Sequence, residues 1–392
     1  MARDVVIVGA ARTPIGAFQG ALSSLKAPEL GAVAIKAALE RAGVKAELVE
    51  QIFMGHVLQA GVGQAPARQA ARFAGLPDGT PAVTVHKVCG SGLQAVVNAY
   101  QVIALGEADV VVAGGMESMS HAPYLSHPMR NGARMGHVEF KDSMVLDGLT
   151  DAYDNVHMGI CAEACATDMK ISRAAQDEFA VESTNRAIRS QKEGLFKAEI
   201  VGVPVPQKKG DPIMFLEDEG PKNAKPEKIA TLKPVFKKDG TVTAANASSL
   251  NDGAAALVLM SADKAKALNL PILGRITGHA AAARKPVEFT IAPADAINKL
   301  LTKSGKTVGD IDTWEINEAF AVVSLANNQL LKLDPSKVNI RGGAVALGHP
   351  IGASGARVLV TLLHTMKDHN FKRGIASLCI GGGEGIALMI ER

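Results

Sequence analysis

Two passages of this chain share one local grammar at a nearly constant offset, and that duplication constrains the fold more than any single motif. Ala42-Gly43-Val44 followed by Leu48-Val49-Glu50-Gln51-Ile52 matches Ser304-Gly305-Lys306 followed by Asp310-Ile311-Asp312-Thr313-Trp314, 262 residues later. His86 and Cys89-Gly90-Ser91-Gly92 fall over His349 and Gly352-Ala353-Ser354-Gly355, 263 residues later. Gly115-Met116-Glu117 aligns with Gly382-Gly383-Glu384 at a shift of 267. Anchors in one order at almost one spacing predict two copies of a single supersecondary unit. The competing explanation is the glycine turns of an unrepeated α/β protein, which have no reason to keep that order or spacing.

Within the copies, short apolar runs alternate with helical patterns. Residues 5–8, 52–54 and 109–113 read as buried strands, and residues 29–42 and 94–105 as helices, the first stopped by Gly43. Apolar strands between helices predict an α/β fold of two similar units, with mixed, mostly parallel sheets packed as layers. Residues 119–249 break the pattern. The stretch 119–148 is aperiodic, 172–194 reads as one amphipathic helix capped by Ser172, and 208–238 is charged and contains proline. The expected organisation is residues 1–118 with 250–270 as one half, 271–392 as the other, and 119–249 as an inserted loop domain that docks substrate.

Composition narrows the function. Lys and Arg number 42 against 39 Asp and Glu in 392 residues, a surplus of +3. That is too little for a nucleic-acid or polybasic membrane partner, which needs clustered positive charge. Hydrophobic residues at 47% support a large core, and aromatics at 4% argue against base stacking. No continuous apolar run reaches the roughly 18 residues that span a bilayer. The start of the chain lacks a long apolar signal region, so a cytoplasmic location is expected. The four cysteines, Cys89, Cys161, Cys165 and Cys379, are too few for a disulfide scaffold and fit a reducing compartment.

Three glycine-framed stretches and one Asn motif carry the candidate chemistry. Cys89 sits at a strand-to-helix junction, where the helix N-terminus favours a thiolate and Gly90 and Gly92 permit a sharp turn. Its alternative is a small buried hydrophobe, as most cysteines are. His349, in Gly348-His349-Pro350, occupies in the second copy the neighbourhood of Cys89 in the first, and a converging pair is a nucleophile with its base. A turn histidine satisfied by backbone is the bland reading, and His86 is the rival base. Cys379 ends an apolar strand ahead of Gly381-Gly382-Gly383, at the edge where α/β sheets bind ligands and where glycine N–H groups can hold an oxyanion. Asn317 follows Trp314-Glu315-Ile316 and either donates to a ligand or caps a helix. Cys161 and Cys165 stand at i, i+4 without companion ligands, so no metal is expected.

Together these stretches resemble the thiolase family in its biosynthetic branch. The matching segments are Val85-His86-Lys87-Val88-Cys89-Gly90-Ser91-Gly92, Asn317-Glu318-Ala319-Phe320, Gly342 through Pro350, and Cys379-Ile380-Gly381-Gly382-Gly383. The opening strand through Arg12-Thr13-Pro14 and the Asn246-Ala247-Ser248-Ser249-Leu250-Asn251-Asp252-Gly253 stretch match too, so the likeness runs the whole chain.

The resemblance implies a thiolase fold and an acetyl-CoA C-acetyltransferase: reversible Claisen condensation of two acetyl-CoA to acetoacetyl-CoA and CoA through an acetyl-Cys intermediate. A broader-chain 3-ketoacyl-CoA thiolase of fatty-acid degradation is the alternative. Cys89 would carry the acetyl group, His349 would activate it, and Cys379 would move the α-proton. Asn317, through water, and His349 would form one oxyanion hole; the N–H groups of Cys89 and Gly381 would form the other. Leu149, His157 and Met158 match acyl-pocket positions, and Phe236, Ala244, Ser248, Ala319 and Phe320 match positions beside pantetheine. Coenzyme A thioesters would be substrate and product, with no tightly bound cofactor. A homotetramer, a dimer of dimers using residues 125–145, would be the assembly. The chain departs from the pattern at Ala245, Ser249 and Arg341. Phe289 is bulky near the expected pocket. The loop around Glu219-Gly220-Pro221-Lys222 lacks the usual phosphate-binding Arg, leaving Lys222 as a weak candidate.

Overall fold

The computed structural model describes residues 3–392. Its central sheet is built from β1 (Val5–Arg12), β2 (Gln51–Gly55), β3 (Ala82–Val85), β4 (Val110–Ser118), β5 (Asn251–Ser261), β6 (Gly274–Ala283), β7 (Thr313–Ile316), β8 (Arg373–Ile380) and β9 (Glu384–Glu391), with a short Gly16–Ala17 strand on β5. The order is β7-β8-β9-β6-β1-β5-β4-β2-β3. At the centre, Val6 pairs with Arg275 and Ile7 with Gly274. Outward from that seam the copies mirror each other: β1, β5, β4, β2 on one side and β6, β9, β8, β7 on the other. Even the edge strand β3 has a remnant counterpart, a single parallel bridge between Trp314 and Val338.

The sheet is mixed. Pairing is parallel only where a crossover helix joins the strands, at β2–β3, β2–β4 and β7–β8. The other pairs are antiparallel, because β8 turns directly into β9 and β5 returns from the insertion. Parallel pairing is thus a property of the outer strands, not of the whole sheet.

Among the described residues the longer helices are α1 (Ala27–Ala42), α2 (Pro66–Phe73), α3 (Ser91–Leu105), α4 (Met158–Asp168), α5 (Arg173–Lys192), α6 (Ala292–Ser304), α7 (Ala321–Leu331) and α8 (Ile351–Asp368), of which α1, α2, α3, α6 and α8 pack on the sheet. The first-half strands are buried on both faces, so each face must be covered. On one face, Val6, Val8, Val110, Val112 and Val258 pack on α1 and α2. On the other, Ile7, Val111 and Leu257 meet α3 and α8, which also pack on Leu378, Ile386 and Leu388 of the second half. Its outer face packs on α6 through Ile297, Leu300 and Leu301. The result is layered, with α3 and α8 in the middle. The window Val88–Leu105 is long and apolar enough on average to cross a membrane, but it contains α3, the central core helix.

Two anchors of the repeat hold in three dimensions. Gly43 and Gly305 both cap their helices in the left-handed region, at φ 65° and 64°. The third anchor is corrected: Gly115 and Glu117 lie inside β4, whereas Gly382 and Gly383 form the β8–β9 turn. Gly114 and Gly115 do not end the strand. A methyl on either would lie 2.2 Å from Ala255 O or 2.1 Å from Gly352 O, so glycine there is a packing requirement.

The insertion carries α4 and α5, the latter capped as expected by Ser172 Oγ, which accepts from the Ala175 N–H at 3.1 Å. Buried Arg12 ties the insertion to the first half through Glu199 (2.7 Å) and Asp218 (2.8 Å). Arg341 joins it to the second half, donating to the Leu195 carbonyl at 2.9 Å while pairing with Asp368.

Candidate active site

The Cys89 elbow is closed by its own side chains. Ser91 Oγ accepts from the Lys87 N–H (2.8 Å) and donates to the Val88 carbonyl (2.6 Å). Val88 is held at φ 43°, a strained position for a β-branched residue, directly before the sulfur. Lys87 pairs with Glu384, which fixes the elbow against the turn after β8. That turn brings Gly381 into the lining of the same cavity as Cys89, where the backbone N–H groups of Gly381 and Cys89 act to lower the thiol. These are the two donors expected of an oxyanion hole.

The expectation of an acidic Cys89 thiol is corrected. Burial pushes it up to about 11, outweighing the backbone donors, and the Glu117 carboxylate adds to the rise. The thiol is therefore protonated until something accepts its proton. Glu117 is fully buried and braces the site: it accepts from the Val57 and Gly352 N–H groups at 3.1 and 2.9 Å and lies 3.2 Å from His56 Nε2.

His349 arrives on the loop before α8. Its N–H donates to Asn251 Oδ1 at 2.9 Å, and Gly348 at φ 105° has no room for a side chain beside Asn251. Ser354 Oγ donates to the Pro350 carbonyl at 3.0 Å and so accepts from His349 Nδ1 at 2.6 Å. This assigns the proton to Nδ1 and leaves Nε2 free as a base. Burial, with Arg357 second, lowers the imidazole to about 3, so the ring is neutral. His86 is exposed and lines a different hollow, with Asp147, Asp151 and Glu384.

Asn317 Nδ2 lies 3.5 Å from both ring nitrogens of His349. It does not cap α7, whose N-cap is Phe320. The neighbouring Glu318 is structural. Its carboxylate accepts from Ser183 Oγ, Asn339 Nδ2 and the Val345 N–H, and a methyl on Gly343 would strike it. Cys379 is fully buried among Met158, Phe289, Ala319 and Phe320, its thiol raised well above the usual range by burial and then by the Cys89 sulfur nearby. Cys161 and Cys165 are free and buried in α4.

One cavity of about 360 Å³ gathers Cys89, His349 and Gly381 with all eight expected substrate contacts: Leu149, His157, Met158, Phe236, Ala244, Ser248, Ala319 and Phe320. Asn317 and Cys379 are buried and do not line it; Asn317 lies 3.5 Å from the lining His349, and Cys379 packs with the lining Met158, Phe289 and Phe320. His157 caps α4, accepting from the Gly159 N–H at 3.0 Å, and stacks on Phe236 at 4.7 Å. Gly159 is required there, since a methyl would lie 2.3 Å from the Phe236 ring. Ser248 Oγ donates to the Ala319 carbonyl at 2.9 Å. Met119 and Ile351 also line the cavity, and sequence reasoning missed them, as it missed Glu117 and Ser354. For Ser354 the His349-to-Ser354 spacing at a helix start was an available signal.

Lys222 faces a separate hollow with Val205, Ile213 and Glu217. Lys225 and Lys228 instead line a depression of about 300 Å³ that shares Ser249 with the catalytic cavity.

Comparison with known proteins gives the family. The thiolase N-terminal domain model matches residues 5–263, and the thiolase C-terminal domain model matches residues 270–392. An acetyl-CoA acetyltransferase of Cupriavidus necator is 56% identical over 390 residues, covering 99% of both chains. An acetyl-CoA acetyltransferase of Pseudomonas aeruginosa is 53% identical over 391 residues and 100% of both chains. A probable acetyl-CoA acyltransferase of Staphylococcus aureus is 52% identical over 389 residues, covering 99% of each. With matches along its whole length, this chain belongs to the thiolase family.

Proposed function

We propose that this thiolase is an acetyl-CoA C-acetyltransferase that condenses two acetyl-CoA molecules reversibly to acetoacetyl-CoA and CoA. Cys89 gives its proton to His349 Nε2 and its sulfur attacks the thioester carbon. The Cys89 and Gly381 N–H groups hold the oxyanion. CoA departs with the Cys379 proton, leaving acetyl-Cys89 and a Cys379 thiolate. That thiolate takes the α-proton of a second acetyl-CoA. The enolate oxygen is held by His349 and an Asn317-bound water while the carbon attacks acetyl-Cys89. Cys89 leaves and recovers its proton from His349. Protons and charges balance around the cycle.

The observation that carries this reading is the convergence of Cys89, His349 and Gly381 on a single cavity. Met158, Phe236 and Phe289 line that cavity and favour short acyl chains over the broader-chain alternative. The names of the Cupriavidus and Pseudomonas relatives point the same way. The insertion, residues 119–249, supplies His157, Met158, Phe236 and Ala244 to the cavity and acts as the CoA-docking module, with Lys225 and Lys228 meeting the phosphates. A homotetramer fits the exposed Met129, Met135 and Phe140 of the 125–145 region, which a partner subunit would cover. A cytoplasmic location fits a nucleophile that must stay reduced.

The test is acetoacetyl-CoA thiolysis. Wild-type protein turns over, Cys89→Ser forms no acetyl-enzyme, and Cys379→Ser retains slow exchange of acetyl groups with free CoA. Absence of wild-type thiolysis from pH 6 to pH 9, or label from acetyl-CoA on Cys161 or Cys165, overturns the reading.

A further inference from the structure

We propose that Arg357 is a positioning residue that locks the side-chain amide of Asn317 with its NH2 group toward His349 and its oxygen away. Arg357 lies on α8, two turns beyond His349, and is 2% exposed. Its Nη2 donates to Asn317 Oδ1 at 3.4 Å. A guanidinium has donors only, so the amide can present nothing but its oxygen to Arg357. The NH2 group must then point to the opposite side, where it lies 3.5 Å from both ring nitrogens of His349.

Two observations separate this from ordinary core support. A structural buried Arg has most of its donors satisfied: Arg12 makes hydrogen bonds from three nitrogens to Glu199, Thr13 and Asp218, and Arg341 leaves only Nε without a partner. Among the described residues, Arg357 Nε and Nη1 have no hydrogen-bond partner, and its one hydrogen bond goes to Asn317. Glu315, two residues before Asn317 on β7, faces Arg357 at 3.8 Å, beyond hydrogen-bond range, and confines the guanidinium beneath the amide. Without Arg357 the amide is free to rotate. Its oxygen would then be turned toward the developing enolate charge, replacing a donor by an acceptor.

This inference rests on the proposed condensation, and its test separates the two. Acetyl exchange between acetyl-CoA and labelled CoA uses Cys89, His349, Gly381 and the Cys379 proton but forms no enolate; condensation and thiolysis need the Asn317 donor. Arg357→Met is expected to slow condensation and thiolysis on the order of 30- to 100-fold while exchange stays within about threefold. Arg357→Lys, which returns a donor and the charge, recovers part of the loss. If Arg357→Met does not fold, the ratio is read on Arg357→Lys, where condensation must still fall at least about fivefold more than exchange. A parallel fall of both rates, or no change in their ratio, overturns the role. A wild-type enzyme lacking exchange would instead overturn the proposed function.

Discussion

Gly92 and Gly355 face each other where α3 crosses α8: a methyl on Gly92 would lie 2.7 Å from Ala356 N, and one on Gly355 would lie 2.2 Å from Leu93 N. They are equivalent positions of the duplication, 263 residues apart, so each helix uses the same glycine to admit the other. Cys89 precedes α3 by two residues and His349 precedes α8 by two. The crossing therefore brings the loops that carry Cys89 and His349 to one cavity.

Filling that crossing should be expensive. Gly355→Ala places a carbon against backbone that cannot rotate away, so the helices must separate. We expect a loss of about 3 kcal/mol, read as a lower denaturation midpoint with an unchanged slope. Activity should fall more than stability alone accounts for, because the two loops move with their helices. A variant as stable as wild type would mean the crossing tolerates more than these distances allow.

The pH dependence of Cys89 follows from its surroundings. With the thiol raised to about 11 and the imidazole lowered to about 3, the resting pair is neutral over the working range. Only the thiolate reacts with iodoacetamide, and it increases with pH up to the thiol's own pKa. The alkylation rate of the free enzyme should therefore climb about tenfold per unit between roughly pH 7 and pH 10, without a plateau. A plateau near neutrality would reveal a resting thiolate–imidazolium pair instead.

Much of this was readable in the residues, for identifiable reasons. The duplication was legible because glycine at Gly43, Gly92, Gly305 and Gly355 answers to backbone geometry, which leaves a fixed letter in the sequence. Cys89, His349 and Cys379 stand out in the sequence because each is framed by such glycines. The sign of the Cys89 shift does not, since a helix N-terminus can be read from sequence whereas desolvation depends on what folds over it. The Glu117 brace and the Arg357 contact to Asn317 were equally hidden. Each joins segments far apart in the chain, and no local pattern marks which buried charge meets which loop. The register of the third repeat anchor failed because Gly115 is small to fit Gly352, a reason unrelated to turning the chain.

Charge at the cavity mouth gives a separable prediction. Lys225 and Lys228 line the depression adjoining Ser249, while Lys222 does not. Lys225→Ala with Lys228→Ala should raise KM for CoA about tenfold with kcat little changed, and should flatten the salt dependence of kcat/KM. Lys222→Ala should leave both near wild type. The reverse ranking would move the phosphates to the other hollow.

Acyl-chain selection should reside in the aromatic wall behind the thioester. Phe289 is 2% exposed, lines the cavity and packs edge-on against Phe320 at 6.4 Å. Its ring occupies volume that a longer 3-ketoacyl chain would need. Phe289→Ala opens that volume beside Cys379, whose packing it also supports. Each methylene accommodated in an apolar pocket is worth about 1 kcal/mol or more. The ratio of kcat/KM for a six-carbon over a four-carbon 3-ketoacyl-CoA should therefore rise on the order of tenfold. The cavity left by the ring costs about 3 kcal/mol of stability, so the ratio must be taken below the variant's melting transition. An unchanged ratio in a folded variant would place the length filter elsewhere, with Met158 and Leu149 the next side chains in line.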